Sequence, residues 1–101
     1  MIKGKYRISE KAVKDLEIIW EYTCENWAVN QADRYYKLIT SEIEFIANYN
    51  MSGKSMDHIK EGYRATIVKS HLIFYRIHTD KVIEIIRILH QRMDVENEIK
   101  K

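Results

Sequence analysis

A chain of 101 residues is one domain by length and too short for two ordinary ones. Its 17 Lys and Arg against 15 Asp and Glu leave a net charge of +2, so composition makes no case for nucleic-acid or membrane binding. With 46% apolar and 32% charged residues it is not a disordered chain, and the absence of proline excludes prolyl isomerisation as a slow folding step.

The N-terminal stretch MIKGKYRISEKAV has no apolar h-region, so no signal peptide is expected. Residues 4–9 alternate weakly and predict a short strand. Ser9 suits a helix N-cap, and Glu10 places negative charge in the first turn. From residue 10 to 27 the apolar positions Val13, Leu16, Trp20, Cys24 and Trp27 step by three or four, which is one helix face. Ala12, Ile19 and Thr23 widen it. Cys24 is the only cysteine; it excludes an intrachain disulfide and reads as a small buried hydrophobe in a reducing compartment.

After a gap at Ala28-Val29-Asn30, with Asn30 as the expected N-cap, a second stripe follows. It comprises Ala32, Tyr35, Tyr36, Ile39, Ile43, Ile46 and Tyr49, and the short gap predicts an antiparallel helical hairpin. Residues 50–62 lose periodicity and form the one long loop. Three strands are expected over 63–68, 71–78 and 82–89, joined at Lys69-Ser70 and Thr79-Asp80 without the glycine that favours a primed turn. The polar tail, 91–101, is either a short helix carrying Val95 and Ile99 or frayed. The fold class is therefore α+β: an antiparallel sheet with the helical hairpin on one face. No apolar run approaches the ~20 residues of a membrane span, and the expected location is cytoplasmic.

Two strands are apolar on both faces. Leu72 and Phe74 oppose Ile73, Tyr75 and Ile77; Val82, Ile86 and Ile88 oppose Ile83, Ile85 and Leu89. One helical hairpin covers one face, so the other is expected to meet a partner protein unless the helices or the tail wrap over it. Charge is uneven as well: residues 10–25 carry a net −3 and residues 60–92 a net +4. Arg64, Arg76 and Arg87, on neighbouring strands, are expected to converge on one face, as a solvated surface or as the site of an anionic target.

Chemistry-bearing patterns are sparse. His71 and His78 fall on opposite strand faces, no HxxxH or HExxH occurs, and neither a metal site nor a cofactor is expected. No glycine-rich phosphate loop or nucleophile elbow occurs. His90 beside Arg92 is either a strand-end cap or an acid/base next to a phosphate.

The blocks Tyr6-Arg7-Ile8-Ser9, residues 12–23 (AVKDLEIIWEYT), Gln31-Ala32 with Tyr35, Gly62-Tyr63-Arg64, residues 71–76 (HLIFYR) and residues 87–94 (RILHQRMD) resemble the ParE toxins of the RelE/ParE group. The likeness runs over residues 5–95. It departs where Trp27-Ala28-Val29 replaces an often glycine-bearing turn and where the loop near residues 50–56 lacks proline. The resemblance implies a cytosolic bacterial toxin that poisons DNA gyrase, has no catalytic residue and no direct sequence-specific nucleic-acid binding, and forms a hetero-oligomer with a ParD-like antitoxin. The expected antitoxin contacts are Trp20, Trp27, Tyr35 and Ile39 on the helices and Arg64, Arg76 and Arg87 on the sheet. His90, Gln91, Arg92, Met93 and Asp94 are the expected gyrase contacts. A RelE-like, ribosome-dependent mRNA endonuclease is the alternative. It would assemble Lys54, Lys60, Arg64, Arg76, Arg87 and His90, although the HQRMD ending fits it poorly. An inactive binding module is the third reading.

Overall fold

The computed structural model describes residues 5–100. The elements are β1 (Tyr6–Ile8), α1 (Glu10–Asn26), α2 (Val29–Asn48), a 3-10 turn (Asn50–Ser52), β2 (Lys54–Ser55), β3 (Tyr63–Val68), β4 (His71–Ile77), β5 (Ile83–His90) and α3 (Val95–Lys100). The strands form one sheet in the order β1-β5-β4-β3-β2. This is the expected α+β architecture, with the α1–α2 hairpin on one face. One pair departs from the antiparallel rule: β1 runs parallel to β5, from Tyr6 opposite Ile83 to Ile8 opposite Ile85. Of the strand predicted over residues 4–9, Gly4 lies outside the described residues.

Ser9 ties the first helix to the sheet. Its hydroxyl accepts from the Ala12 amide at 3.0 Å, as a cap should, and donates to the Ile86 carbonyl at 2.8 Å. β1 ends at Ile8, so β5 loses its strand neighbour beyond Ile85. The Asp15 carboxylate on α1 takes over that edge and accepts the Ile88 amide at 2.9 Å.

These tethers set the roll of α1. Ala12 and Leu16 are buried and Ile19 packs against the core, while Val13, Trp20 and Trp27 face outward. The expected core stripe through Val13, Trp20 and Trp27 is thus corrected: the residues expected only to widen it are its centre. The small Ala12 is what meets the sheet. α2 starts at Val29 behind Ala28, with no side-chain cap, so Asn30 sits inside the first turn rather than capping it. Its buried face is Ala32, Ile39, Ile43, Ile46 and Ala47.

A bulge resets the face of β5. Phe74 pairs with Arg87 and Tyr75 with Ile85, leaving Ile86 as the extra residue. Ile83, Ile85 and Ile88 therefore all join the helix-side core, and Ile86 and Leu89 join the other. The regular alternation expected for this strand is corrected by one residue, which in a period-2 element exchanges the faces. Val82 precedes the strand.

The second sheet face is covered by the chain itself, not left for a partner. Tyr63, Ala65, Phe74, Leu89 and Ile99 are buried there, with Met56, Ile59, Leu72, Ile86 and Val95 packed around them. The loop between β2 and β3 and helix α3 supply the cover. Gly62 closes that loop at φ +83°, and its amide donates to Asp57 Oδ1 at 2.8 Å. That bond and the Ser55 hydroxyl hold the Asp57 carboxyl below its ordinary range. Asp94 Oδ1 accepts the Asn97 amide at 3.3 Å, starting α3. At Gly53 the backbone lies against Tyr75: the Gly53 amide donates to the phenolic oxygen at 2.9 Å, and the phenol donates to the Asn50 carbonyl at 2.7 Å. A Cβ at Gly53 would overlap the Tyr75 ring.

Candidate functional site

Exposed apolar surface collects where α1 and α2 pass the end of the sheet. There a groove of about 960 Å³ is lined by the second half of α1, the first half of α2, the β3–β4 turn and the end of β5. Its apolar walls are Ile18 and Tyr22 of α1, Trp27 at the cap that follows it, Leu38 of α2 and Met93 after β5. All five are exposed, Tyr22 at 63% and Trp27 at 70%. Large apolar side chains grouped in a concavity mark a protein-binding surface rather than ordinary scatter.

The polar floor is built by strand register. His71 and His90 are partners at the end of the β4–β5 ladder, and their rings meet edge-on with centroids 5.1 Å apart. Tyr35 reaches them from α2. Its hydroxyl lies 2.5 Å from His71 Nδ1 and donates to the Val68 carbonyl at 3.1 Å. His90 Nδ1 accepts the Arg92 amide at 3.1 Å. Burial pushes the His71 imidazole down to about 4, helped by His90 and opposed by Asp15. Burial also pushes the Tyr35 phenol up. Lys69 enters the rim from a left-handed turn residue, φ 54°. Arg34 and Gln31 complete the α2 side.

Several expected contacts lie elsewhere. Ile39 is 0% exposed; it belongs to the helix-side core and cannot meet an antitoxin. Trp20 is 37% exposed, but its indole donates to Asp33 at 3.2 Å beside a separate, smaller depression with Val13 and Tyr36. Trp27 and Tyr35 do line the groove.

The three arginines do not converge. Arg64 pairs in register with Tyr75 and so lies on the helix side, where it donates to the carbonyls of Met51 and Gly53. Arg76 and Arg87 lie on the other side, opposite Tyr63 and Phe74. Arg87 is held by Asp15, with a second carboxylate, Glu98, at 3.5 Å. Asp15 and Glu98 hold its guanidinium still more firmly protonated than usual. The separation follows from pleat and bulge, and it also leaves the ribonuclease set of Arg64, Arg76, Arg87 and His90 dispersed. Within the C-terminal block, His90 and Met93 line the groove, Gln91 and Arg92 are exposed in the turn, and Asp94 caps α3.

Ile18, Tyr22, Leu38, Lys69 and His71 line the groove as well, beyond the residues expected as contacts. The signal was present for the helical ones: Ile18 and Tyr22 are four apart and belong to no core stripe. Cys24 is half-buried, and its thiol is pushed up by burial and by Asp33, Glu25 and Glu21. Among the described residues no group of three His, Cys, Asp or Glu is placed to hold a metal ion, and no helix is long and apolar enough to cross a membrane.

Known proteins are similar to this chain in sequence and in fold. The chain is 36% identical over 98 residues to Toxin ParE1 of Mycobacterium tuberculosis (strain CDC 1551 / Oshkosh), covering 97% of this chain and all of that one. It is 39% identical over 89 residues to Toxin ParE1 of Caulobacter vibrioides, covering 88% and 91%. Two solved structures share the fold. The chromosomal ParDE TA system from P. aeruginosa matches with a TM-score of 0.75 at 18% identity, over 87% of this chain and 96% of that one. The toxin–antitoxin complex RelBE2 from Mycobacterium tuberculosis matches with a TM-score of 0.59 at 17% identity, over 89% and 93%. Residues 6–95 match the family described as ParE toxin of type II toxin-antitoxin system, parDE. The chain belongs to the ParE toxin family of the RelE/ParE superfamily.

Proposed function

We propose that this protein is the toxin of a cytoplasmic toxin–antitoxin pair, that it poisons DNA gyrase, and that a ParD-like antitoxin neutralises it by laying a segment in the α1–α2 groove. The observation that carries the antitoxin half is the groove itself, an apolar concavity of about 960 Å³ on a domain whose sheet is otherwise covered. Membership of the ParE family and the paired arrangement named for two structures of the same fold support it. The antitoxin contacts are then Trp27 and Tyr35, joined by Tyr22, Ile18 and Leu38. The gyrase half rests on the family. Its contact is assigned to the turn after β5, where Gln91, Arg92 and Met93 are exposed beside the groove. That adjacency gives neutralisation a physical basis, since a segment in the groove would crowd the turn.

Purified toxin is expected to inhibit supercoiling and accumulate cleaved DNA, and antitoxin is expected to reverse both. Normal supercoiling at a large molar excess of folded toxin would remove gyrase as the target.

A further inference from the structure

The groove floor carries two imidazoles, each with its Nδ1 engaged. His71 Nδ1 is taken by Tyr35 and His90 Nδ1 by the Arg92 amide. Among the described residues neither Nε2 has a hydrogen-bond partner, and neither is a buried unsatisfied atom, so both reach solvent. The partners assign the protons. The single Tyr35 proton goes to the Val68 carbonyl, so His71 Nδ1 carries hydrogen and donates to the phenolic oxygen. His71 Nε2 is then a bare acceptor. His90 Nδ1 accepts, so His90 Nε2 carries hydrogen and donates.

Charge around this pair is one-sided. Among the described residues, Arg34 from α2 and Lys69 from the β3–β4 turn line the groove with no carboxylate within ion-pair distance. Arg87 from β5 is neutralised by Asp15 from α1, the one carboxylate in the lining among the described residues. Tyr35 stays uncharged. An anion is the complement of such a floor, and apolar side chains are the complement of its walls.

We propose that the groove takes an acidic amphipathic peptide segment, and that one of its carboxylates docks between His71 and His90 together with one proton taken from solvent onto His71 Nε2. The proposal rests on the groove being the antitoxin site. On docking, the carboxylate accepts from His90 Nε2–H and from the new His71 Nε2–H. His71 is neutral in the free toxin because it is buried beside a second imidazole. A carboxylate at hydrogen-bond distance reverses that balance and favours the imidazolium. Binding and protonation are therefore linked: affinity rises as pH falls, toward ~tenfold per pH unit for one whole proton.

The test uses a purified ParD-type antitoxin, titrated calorimetrically between pH 5 and pH 7 in two buffers of different ionisation heat. Expected results are proton uptake on binding and an affinity that rises at least ~fivefold more than for His71→Asn, which keeps an N–H for Tyr35 but does not titrate. Replacing the acidic residues of the bound segment by amides, one at a time, should find one that abolishes the uptake. Equal pH slopes for wild type and His71→Asn, or uptake that survives every amide replacement, overturns the proposal and leaves the antitoxin reading standing. No binding at any pH removes the antitoxin reading itself. Self-association of the toxin through the groove, seen by sedimentation, overturns the proposal in favour of a second copy as occupant. If His71→Asn does not fold, the ¹⁵N resonances of the wild-type His71 ring decide: imidazolium in the complex at pH 6 supports the proposal, and a neutral ring refutes it.

Discussion

Asp15 holds Arg87 through two hydrogen bonds, Oδ2 to Nε at 2.8 Å and Oδ1 to Nη2 at 3.0 Å, across 72 residues of chain. The same carboxylate accepts the Ile88 amide, so one side chain closes the sheet edge that β1 leaves open. Both partners are largely shielded from water, at 11% and 15% side-chain exposure. Removing one member of such a pair leaves a desolvated charge and an orphaned amide. Asp15→Ala is expected to cost ~3–4 kcal/mol in urea unfolding. Asp15→Asn retains an acceptor for Ile88 and should cost less. An Asp15→Ala protein as stable as wild type would show that the edge needs no such closure.

Gly53 is a position of close approach. Its Cα faces the Tyr75 ring, and an added methyl would meet ring atoms that are fixed by bonds to Gly53 and Asn50. Gly53→Ala is expected to destabilise by ~1–3 kcal/mol through overpacking. Thermal unfolding followed by circular dichroism measures it.

Helix α3 covers the second core through Ile99, which is 5% exposed. Ile99→Ala is expected to cost ~2–4 kcal/mol. Deleting residues 95–101 should go further, exposing Phe74 and Leu89 and increasing binding of a hydrophobic dye. Unchanged dye binding in the truncated protein would mean that α3 is not the cover.

Trp27 and Tyr22 contribute little to the core and much to the groove. Their alanine variants are expected to unfold within ~0.5 kcal/mol of wild type. Antitoxin affinity should nonetheless fall by at least about tenfold for Trp27→Ala, since large aromatics buried by a partner behave as binding anchors. Retained affinity would move the antitoxin off this surface.

His71 also links stability to pH. Its folded-state value is pushed down to about 4 by burial and His90, whereas an unfolded histidine titrates near ~6.5. The unfolded chain therefore binds the proton more tightly between these values, and the stabilising contribution is lost as pH falls from ~6.5 toward about 4. Wild type should lose more stability over that window than His71→Asn, measured by chemical denaturation at each pH.

Local chemistry made most of the elements readable. The Ser9 cap, the two helical stripes and the three long strands needed only spacing and side-chain type. The candidate site was less legible. Trp27 and Tyr35, expected as antitoxin contacts, and His90 and Met93, expected as gyrase contacts, all line the groove, whereas Ile39 lies in the core, because periodicity marks an apolar face without saying whether a sheet or a partner covers it. The arginines, expected on one face, are split between two because a one-residue bulge at Ile86 and the pleat between β3 and β4 determine which face each takes.

By itself the sequence determined a proline-free α+β fold of the ParE toxin family, since helix and strand periods and short motif blocks are local properties of the chain. Only the tertiary structure decided where its apolar excess goes. The second sheet face, expected to await a partner, is closed by α3 and the loop after β2, and the exposed surface lies instead in the groove beside α1. The roll of α1 produced that outcome. It is set by Ser9 and Asp15 binding a strand more than seventy residues away, and no local pattern reports such contacts.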